Sequence, residues 1–180
     1  MNNIYCKSGI DIKQLEARSN LDTNGIELQL LSDFIDKPKT TREYIDNIKE
    51  YIKDIKVIHV PLKLGEEVVE VQMLSEDTQQ KLFNRICELA QTISNINNKE
   101  TTIVIHNSWS LREYEYSSDK YNKIINYLKE VLNSNKNIKI AIENVVPFSP
   151  TGSGDFRNGV YPDYIDFIKR LCFKWVLKMI

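Results

Sequence analysis

The chain has 180 residues, of which 42% are hydrophobic and 27% are charged, and its formal net charge is −1 at pH 7. This length suits a single domain over residues 1–180 with a substantial core. The balanced charge excludes a strong global field that would attract nucleic acid or an acidic membrane surface. Scattered cysteines without a CxxC motif and the absence of a signal peptide predict a cytoplasmic protein with free thiols. No apolar run approaches the length of a membrane span.

Short apolar runs alternate with longer amphipathic segments, which predicts βαβ units and a parallel sheet. The first half predicts strands in "NIYCKSG", "GIELQL" and "VIHVPL", with helices in "IDIKQLEARSNL" and "TTREYIDNIKEYIKDI". The segment "KLGEEVVEVQML" is a loop or a small hairpin, and a long helix with Ser75 as its N-cap follows it. The second half predicts strands in "TTIVIH", "IKIAIEN" and "FKWVLKMI", with helices in "SSDKYNKIINYLKEVLNSN" and "PDYIDFIKRLC". The pattern predicts an α/β fold of about six strands.

Three polar residues stand at the ends of apolar runs. His59 ends one predicted strand, His106 ends the next and Glu143 ends the one after it. The carboxyl ends of parallel strands share one face, so these side chains are expected to approach each other. Two imidazoles and a carboxylate are a standard ligand set for zinc or a similar divalent ion. The alternative is structural, with each histidine bonded to a nearby loop and Glu143 paired with a lysine.

The ordered motifs "GIELQL", "VIHVPL", "IVIHNSW" and "IAIENVVP" resemble the xylose isomerase-like TIM-barrel superfamily. This superfamily contains sugar isomerases and epimerases and the endonuclease IV type of AP endonuclease. The resemblance covers nearly the whole chain and implies a divalent metal cofactor (zinc, manganese or magnesium) bound by Glu143, His106 and His59. In the sugar isomerases the matching histidines more often contact substrate. For Glu27, the resemblance implies either a substrate contact or a structural role. Asn144, beside Glu143, is a further candidate for substrate binding.

The chain also departs from this family. A full (β/α) barrel has eight strands and about 250 residues, so the sequence predicts an incomplete TIM barrel. Lys178 stands about where the family has a metal-binding aspartate, and the later ligands have no counterpart. Two explanations are open: a C-terminally truncated member with impaired activity, or a partial barrel that forms a homo-oligomer through the exposed edge of "FKWVLKMI".

Two predicted loops contain further candidates for substrate binding. In "NSWSLREYEYSSDKY", Trp109 can stack on a sugar ring or an exposed base, or pack against a neighbouring helix. In "SPTGSGDFRNGVYP", Arg157 is the only cation and a candidate contact for a phosphate or a sugar hydroxyl. This second loop is either a lid over the site or an ordinary surface loop.

Three functions follow as hypotheses. The first is a metal-dependent isomerase or epimerase acting on a small sugar or sugar phosphate, with its catalytic proton-transfer residue unidentified. The second is a zinc phosphodiesterase acting at abasic sites in DNA, which the neutral charge of the chain disfavours. The third is a non-catalytic partial barrel that self-associates.

Overall fold

The computed structural model describes residues 4–31, 41–65, 67–106, 118–143, 148–150 and 156–158. In chain order, the helices and strands within these ranges are β1 (Tyr5–Ser8), α1 (Ile12–Ser19), β2 (Gly25–Gln29), α2 (Thr41–Ile48), β3 (Ile55–His59), β4 (Lys63–Leu64), β5 (Glu67–Val68), α3 (Asp77–Asn97), β6 (Thr101–His106), α4 (Ser118–Ser134), β7 (Ile138–Glu143), β8 (Phe148–Pro150) and β9 (Phe156–Asn158). Two 3-10 helices, Ile52–Asp54 and Val71–Ser75, precede β3 and α3. The predicted helix "PDYIDFIKRLC" and strand "FKWVLKMI" lie outside the described residues.

Five of the strands form one parallel sheet in the order β1, β2, β3, β6, β7. The spatial order of these strands is therefore their order along the chain. The four connections contain α1, α2, α3 and α4 in turn. Right-handed crossovers that always advance in one direction place their helices on the same face of the sheet. The prediction of an α/β fold with a parallel sheet is confirmed, and closure into a barrel stays a prediction.

The main apolar core lies between these helices and one face of the sheet. In β6, Ile103 and Ile105 face the helices, because successive side chains of a strand point to opposite faces. The helix α3 supplies a long buried stripe at helical spacing. Its buried hydrophobic residues are Leu82, Phe83, Ile86, Cys87, Leu89, Ala90 and Ile93.

The opposite face of the sheet carries a smaller apolar cluster. Val57, Val104 and Ala141 are only 4%, 4% and 3% exposed, and Tyr5 packs against them. Both faces of the central strands are therefore buried. This explains why their sequences show continuous apolar runs instead of an alternation of apolar and polar residues.

Gly25 is required where β2 begins beside β3. Its φ is 145°, and a Cβ at this position would lie 2.6 Å from the carbonyl oxygen of Asp54. Any larger residue would push the two strands apart. The glycine of the "GIELQL" motif therefore has a packing explanation that is independent of function.

Two predicted helix boundaries are wrong. The second helix ends at Ile48 instead of continuing to Ile55, because the chain turns and forms a 3-10 helix before β3. Ser75 is not the N-cap of the long helix: it ends a 3-10 helix, and its hydroxyl donates to Glu76 Oε1 at 3.3 Å. The buried side chains of Val71 and Leu74 hold this 3-10 helix, so α3 begins only at Asp77.

The segment "KLGEEVVEVQML" contains a hairpin, one of its two predicted alternatives. Strands β4 and β5 pair antiparallel, with Lys63 opposite Val68. Gly65 at the turn has a φ of 61°, in the left-handed region that glycine adopts without strain. In the described part of the chain, no helix has both the length and the apolar character needed to cross a membrane.

Candidate metal centre

The three residues predicted as metal ligands lie at the carboxyl ends of adjacent strands. His59 ends β3, while His106 and Glu143 end β6 and β7 and are paired in register. Each follows a member of the smaller apolar cluster by two residues, so all three side chains point to the face opposite the main core. One ligand atom from each residue lies within 4.8 Å of the other two. This cluster can hold a metal ion.

A backbone hydrogen bond orients the ring of His106. Its Nδ1 lies 2.9 Å from the carbonyl oxygen of Val69. A carbonyl oxygen only accepts, so Nδ1 carries the proton and Nε2 is the unprotonated nitrogen of the neutral ring. This Nε2 faces Glu143, whose Oε2 is 3.7 Å away. Burial lowers the pKa of His106, although the Val69 hydrogen bond opposes the effect, and a lower pKa favours the neutral ring.

The ring of His59 has an oxygen partner at each nitrogen. Nδ1 lies 3.1 Å from the carbonyl oxygen of Val60, and Nε2 lies 3.3 Å from Oε2 of Glu143. An unprotonated Nε2 and the carboxylate oxygen are both acceptors. Their contact therefore needs a cation between them, either a proton on Nε2 or a metal ion. The two imidazole rings stand edge to face, with their centroids 4.8 Å apart.

The centre is buried on the histidine side and open on the glutamate side. The side chains of His59 and His106 are 4% exposed, whereas that of Glu143 is 46% exposed. Water or a small molecule can therefore approach along the carboxylate. Of the structural alternative, one part is observed, since each histidine bonds a carbonyl oxygen just outside its strand, that of Val60 or Val69. The other part, a lysine partner for Glu143, is not what the described residues show, since Glu143 pairs with the two histidines.

The donor set fits zinc or a similar divalent ion. Ligand atoms of a tetrahedral zinc site lie about 3.4 Å apart, because each bond is about 2.1 Å long. The two separations from Glu143 Oε2 are 3.3 and 3.7 Å. Three protein ligands leave one position for water or substrate, as in catalytic zinc sites. The carbonyl oxygens of Val60 and Val69 hold the two rings with Nε2 directed to the centre, as metal-binding histidines require.

The β4–β5 hairpin places Val69 beside His106. After β3, the chain forms the hairpin and returns so that the amide of Val69 donates to the carbonyl oxygen of Leu62 at 3.0 Å. The next residue, Glu70, is fully buried and forms a parallel bridge with His106. No sequence signal could have indicated this role, because every residue type carries the carbonyl oxygen that orients the ring.

Glu27, a predicted substrate contact, lies on the same face of the sheet in β2. Its register partner in β1 is Lys7, and Lys7 Nζ lies 2.9 Å from Glu27 Oε1. This ion pair is a structural role for Glu27, and contact with substrate stays a prediction. Gln29 follows on the same face and donates through Nε2 to the carbonyl oxygens of Leu30 and Val60 at 3.1 and 2.9 Å.

Lys7 and Gln29 were not among the predicted site residues. The signal available for Gln29 was the period-two spacing from Glu27 within "GIELQL", since residues two apart on a strand share a face. For Lys7 the signal was a charged residue inside a short predicted strand. Both signals are weak in isolation.

The remaining predicted substrate residues are not located by the described structure. Trp109 and Asn144 lie outside the described residues. Arg157 lies in β9, opposite Ser149 of β8 in a two-stranded antiparallel ribbon, and only its backbone is described. This ribbon forms part of the segment predicted as a lid or surface loop. Substrate binding by these three residues stays a prediction.

The fold and this cluster define an α/β protein with a candidate metal centre at the carboxyl edge of a parallel sheet. No known protein-family model matches the chain, and no curated protein matches it either. Membership of the xylose isomerase-like superfamily therefore rests on the four strand motifs and stays a prediction.

Proposed function

We propose that this chain is a metal-dependent enzyme of the isomerase or epimerase type that acts on a small sugar or sugar phosphate. The observation that carries the proposal is the grouping of His59, His106 and Glu143 with their ligand atoms within 4.8 Å of one another. Two imidazole ligands favour zinc or manganese over magnesium, which prefers oxygen.

The sheet topology supports a barrel-type fold for this enzyme. The strands follow one another in chain order and the main core lies on one face, as in a singly wound (β/α) barrel. A doubly wound sheet would instead reverse its strand order and bury helices on both faces. We infer that the five parallel strands are part of such a barrel, with the candidate site at its catalytic face.

The residues of the chain have separate tasks in this mechanism. A bound divalent ion would supply Lewis acidity that polarises a carbonyl or hydroxyl oxygen of the substrate. Glu143 supplies the negative charge of the site and borders the open side through which substrate enters. His59 and His106 present neutral nitrogen donors from a buried position, where electrostatic interactions are strong because water is excluded.

Metal content tests the first part of the proposal. We expect the wild-type chain to bind about one zinc or manganese ion, as a three-ligand catalytic site does. Glu143→Gln removes the anionic ligand of the described cluster and should weaken metal binding at least about tenfold. Glu16→Gln, which changes an exposed glutamate on α1, is the matched control and should bind as the wild type does. Equal metal content in the Glu143→Gln and wild-type proteins, measured by elemental analysis, would refute the site.

Exchange of carbon-bound hydrogen tests the reaction class. The proposed reaction moves a proton next to a carbonyl, and not a hydride between neighbouring carbons, so the metal-loaded protein should exchange that proton with solvent. Incubation with aldoses and ketoses in D2O, followed by proton NMR, should show loss of that signal with the wild type and not with Glu143→Gln. A panel of sugars and sugar phosphates without metal-dependent exchange would contradict the proposed activity.

Phosphodiester cleavage at abasic DNA is the second candidate, and one observation favours it. Both histidines contribute a ligand atom to the cluster. This arrangement corresponds to the endonuclease IV branch more closely than to the sugar isomerases. The net charge of −1 provides no general attraction for DNA. Zinc-dependent incision of an abasic duplex by the wild type, lost in Glu143→Gln, would establish this candidate in place of the first.

A further inference from the structure

A cavity lies beside the metal centre at the ends of β1 and β2. Its volume is about 560 Å³, and its polar lining residues are Lys7, Asp11, Gln14 and Gln29. This volume is in the range of small-molecule sites, about 300–1,000 Å³. Gln29 is the register partner of His59, so the cavity and the candidate ligands occupy neighbouring positions along the same edge of the sheet.

Lys7 connects the cavity to the metal centre. It lines the cavity, and its side chain is 53% exposed even though it pairs with Glu27, so a ligand can reach the ammonium group. Its register partner Glu27 lies two positions before Gln29 on the same face of β2, and Gln29 is in turn the register partner of His59.

Hydrogen bonds within the protein determine which atoms Gln29 and Gln14 offer to a ligand. Both carbonyl contacts of Gln29 use Nε2, so its Oε1 is an acceptor with no partner among the described residues. Gln14 is the reverse case: its Oε1 accepts from the amide of Gly9 at 3.1 Å, which leaves Nε2 as a donor.

The two charged residues complete a mixed lining. Asp11 caps α1 by accepting from the amide of Gln14 at 3.0 Å through Oδ1, and Oδ2 remains an acceptor. Lys7 donates one hydrogen to Glu27 and has two further donors. The cavity therefore offers donors and acceptors together, and its one cation, Lys7, is already paired with Glu27, which leaves the lining with the carboxylate of Asp11 uncompensated.

We propose that Lys7 is a specificity-determining residue and that this cavity takes the unphosphorylated, hydroxyl-bearing end of a small polyhydroxylated molecule. A hydroxyl both donates and accepts, so it matches a mixed lining. A phosphate monoester carries up to two negative charges and mainly accepts hydrogen bonds, so the carboxylate of Asp11 opposes it, and the charge of Lys7 is already balanced by Glu27. The inference rests on the proposed function, because it places the other end of the ligand at the metal centre.

Calorimetric titration of the zinc-loaded chain with ribitol and with ribitol 5-phosphate tests this assignment. We expect ribitol to bind the wild type and ribitol 5-phosphate to bind no more tightly. Lys7→Met keeps the aliphatic part of the side chain and should weaken ribitol binding at least about tenfold, as loss of a charged hydrogen bond does. Lys13→Met, at an exposed position of α1 outside the cavity lining, is the matched control and should bind as the wild type does.

Zinc content measured on the same samples separates this inference from the proposed function. If the wild type binds no zinc, the proposed function fails. If zinc binds normally, then absent ribitol binding, tighter binding of ribitol 5-phosphate, or unchanged ribitol binding in Lys7→Met would overturn the assignment of Lys7 and its cavity. A Lys7→Met/Glu27→Gln double variant removes both charges of the ion pair and replaces the single variant if that protein fails to fold.

Discussion

At the scale of single residues, the backbone carbonyl oxygens of Val60 and Val69 orient the two histidines of the candidate metal centre. Each lies within hydrogen-bonding distance of Nδ1 of one histidine, at 3.1 Å for His59 and 2.9 Å for His106. A ring that donates through Nδ1 keeps Nε2 available for a metal ion. The two carbonyl oxygens therefore orient both rings with Nε2 toward Glu143, where Nε2 of His59 contacts the carboxylate through either a proton or a metal ion.

The tautomer of His106 is a direct prediction of this geometry. Long-range nitrogen–proton NMR of the metal-free protein at neutral pH should show a protonated Nδ1 and an unprotonated Nε2 for this residue. His106→Gln serves to assign the signals. A protonated Nε2 would mean that the nitrogen facing Glu143 has no lone pair for a metal ion, in conflict with the proposed site.

Cys87 shows the effect of burial on a reactive group. Desolvation raises the pKa of this thiol to about 12. At pH 8 the thiolate is then about one in ten thousand of the population, and only the thiolate reacts. We expect iodoacetamide at pH 8 to label the half-buried Cys6 in the native protein and to label Cys87 only after denaturant is added. Rapid labelling of Cys87 without denaturant, detected by peptide mass spectrometry, would contradict the packing of α3.

The three candidate metal ligands could be predicted from the sequence, whereas the residues that support them could not. His59, His106 and Glu143 each end an apolar run, and parallel strands bring such ends together. Lys7 is close to the centre because β1 lies beside β2, and Val69 because a hairpin folds back. These contacts depend on tertiary geometry that no local pattern specifies.

At the scale of elements, the short β4–β5 hairpin positions a backbone group that orients His106. It returns the chain from β3 to β6, where Val69 accepts the hydrogen bond of His106. We predict that replacing residues 63–68 with a Gly-Ser linker of equal length lowers zinc affinity about 10–100-fold, the usual effect of losing a group that orients a metal ligand. Competition with a chromophoric chelator measures the affinity. Unchanged affinity would show that the hairpin does not orient the ring.

Packing of α3 against the sheet should dominate the stability of the fold. Leu89 is fully buried in the main core, so Leu89→Ala should lower the free energy of unfolding by about 2–5 kcal/mol. Glu88→Ala, at the exposed neighbouring position, should change it by less than about 0.5 kcal/mol. Urea denaturation followed by circular dichroism gives both values, and similar effects for the two variants would contradict the assigned face of the helix.

Element type was easier to predict than element boundaries. Amphipathic spacing predicted α3 and α4, because their buried residues recur at helical intervals over several turns. The predicted start of α3 is wrong. Serine is a preferred N-cap residue, which favours Ser75, but the burial of Val71 and Leu74 favours a 3-10 helix there. Tertiary packing outweighed the local capping signal.

At the scale of the whole molecule, the sheet explains how distant sequence positions form one site. His59 and Glu143 are 84 residues apart in sequence, yet their side chains lie 3.3 Å apart because β3, β6 and β7 run in parallel and in chain order. The same order is compatible with a TIM barrel, which stays a prediction. The fold class followed from the alternation of short apolar runs and amphipathic helices, but closure of the sheet depends on chain beyond the described strands.

The most direct measurement of the central claim is a crystal structure of the zinc-soaked protein with anomalous data collected at the zinc edge. We predict an anomalous peak about 2.0–2.2 Å from Nε2 of His59, Nε2 of His106 and a carboxylate oxygen of Glu143. A peak at any other position, or no peak in a crystal in which these three side chains are ordered, would contradict the metal centre.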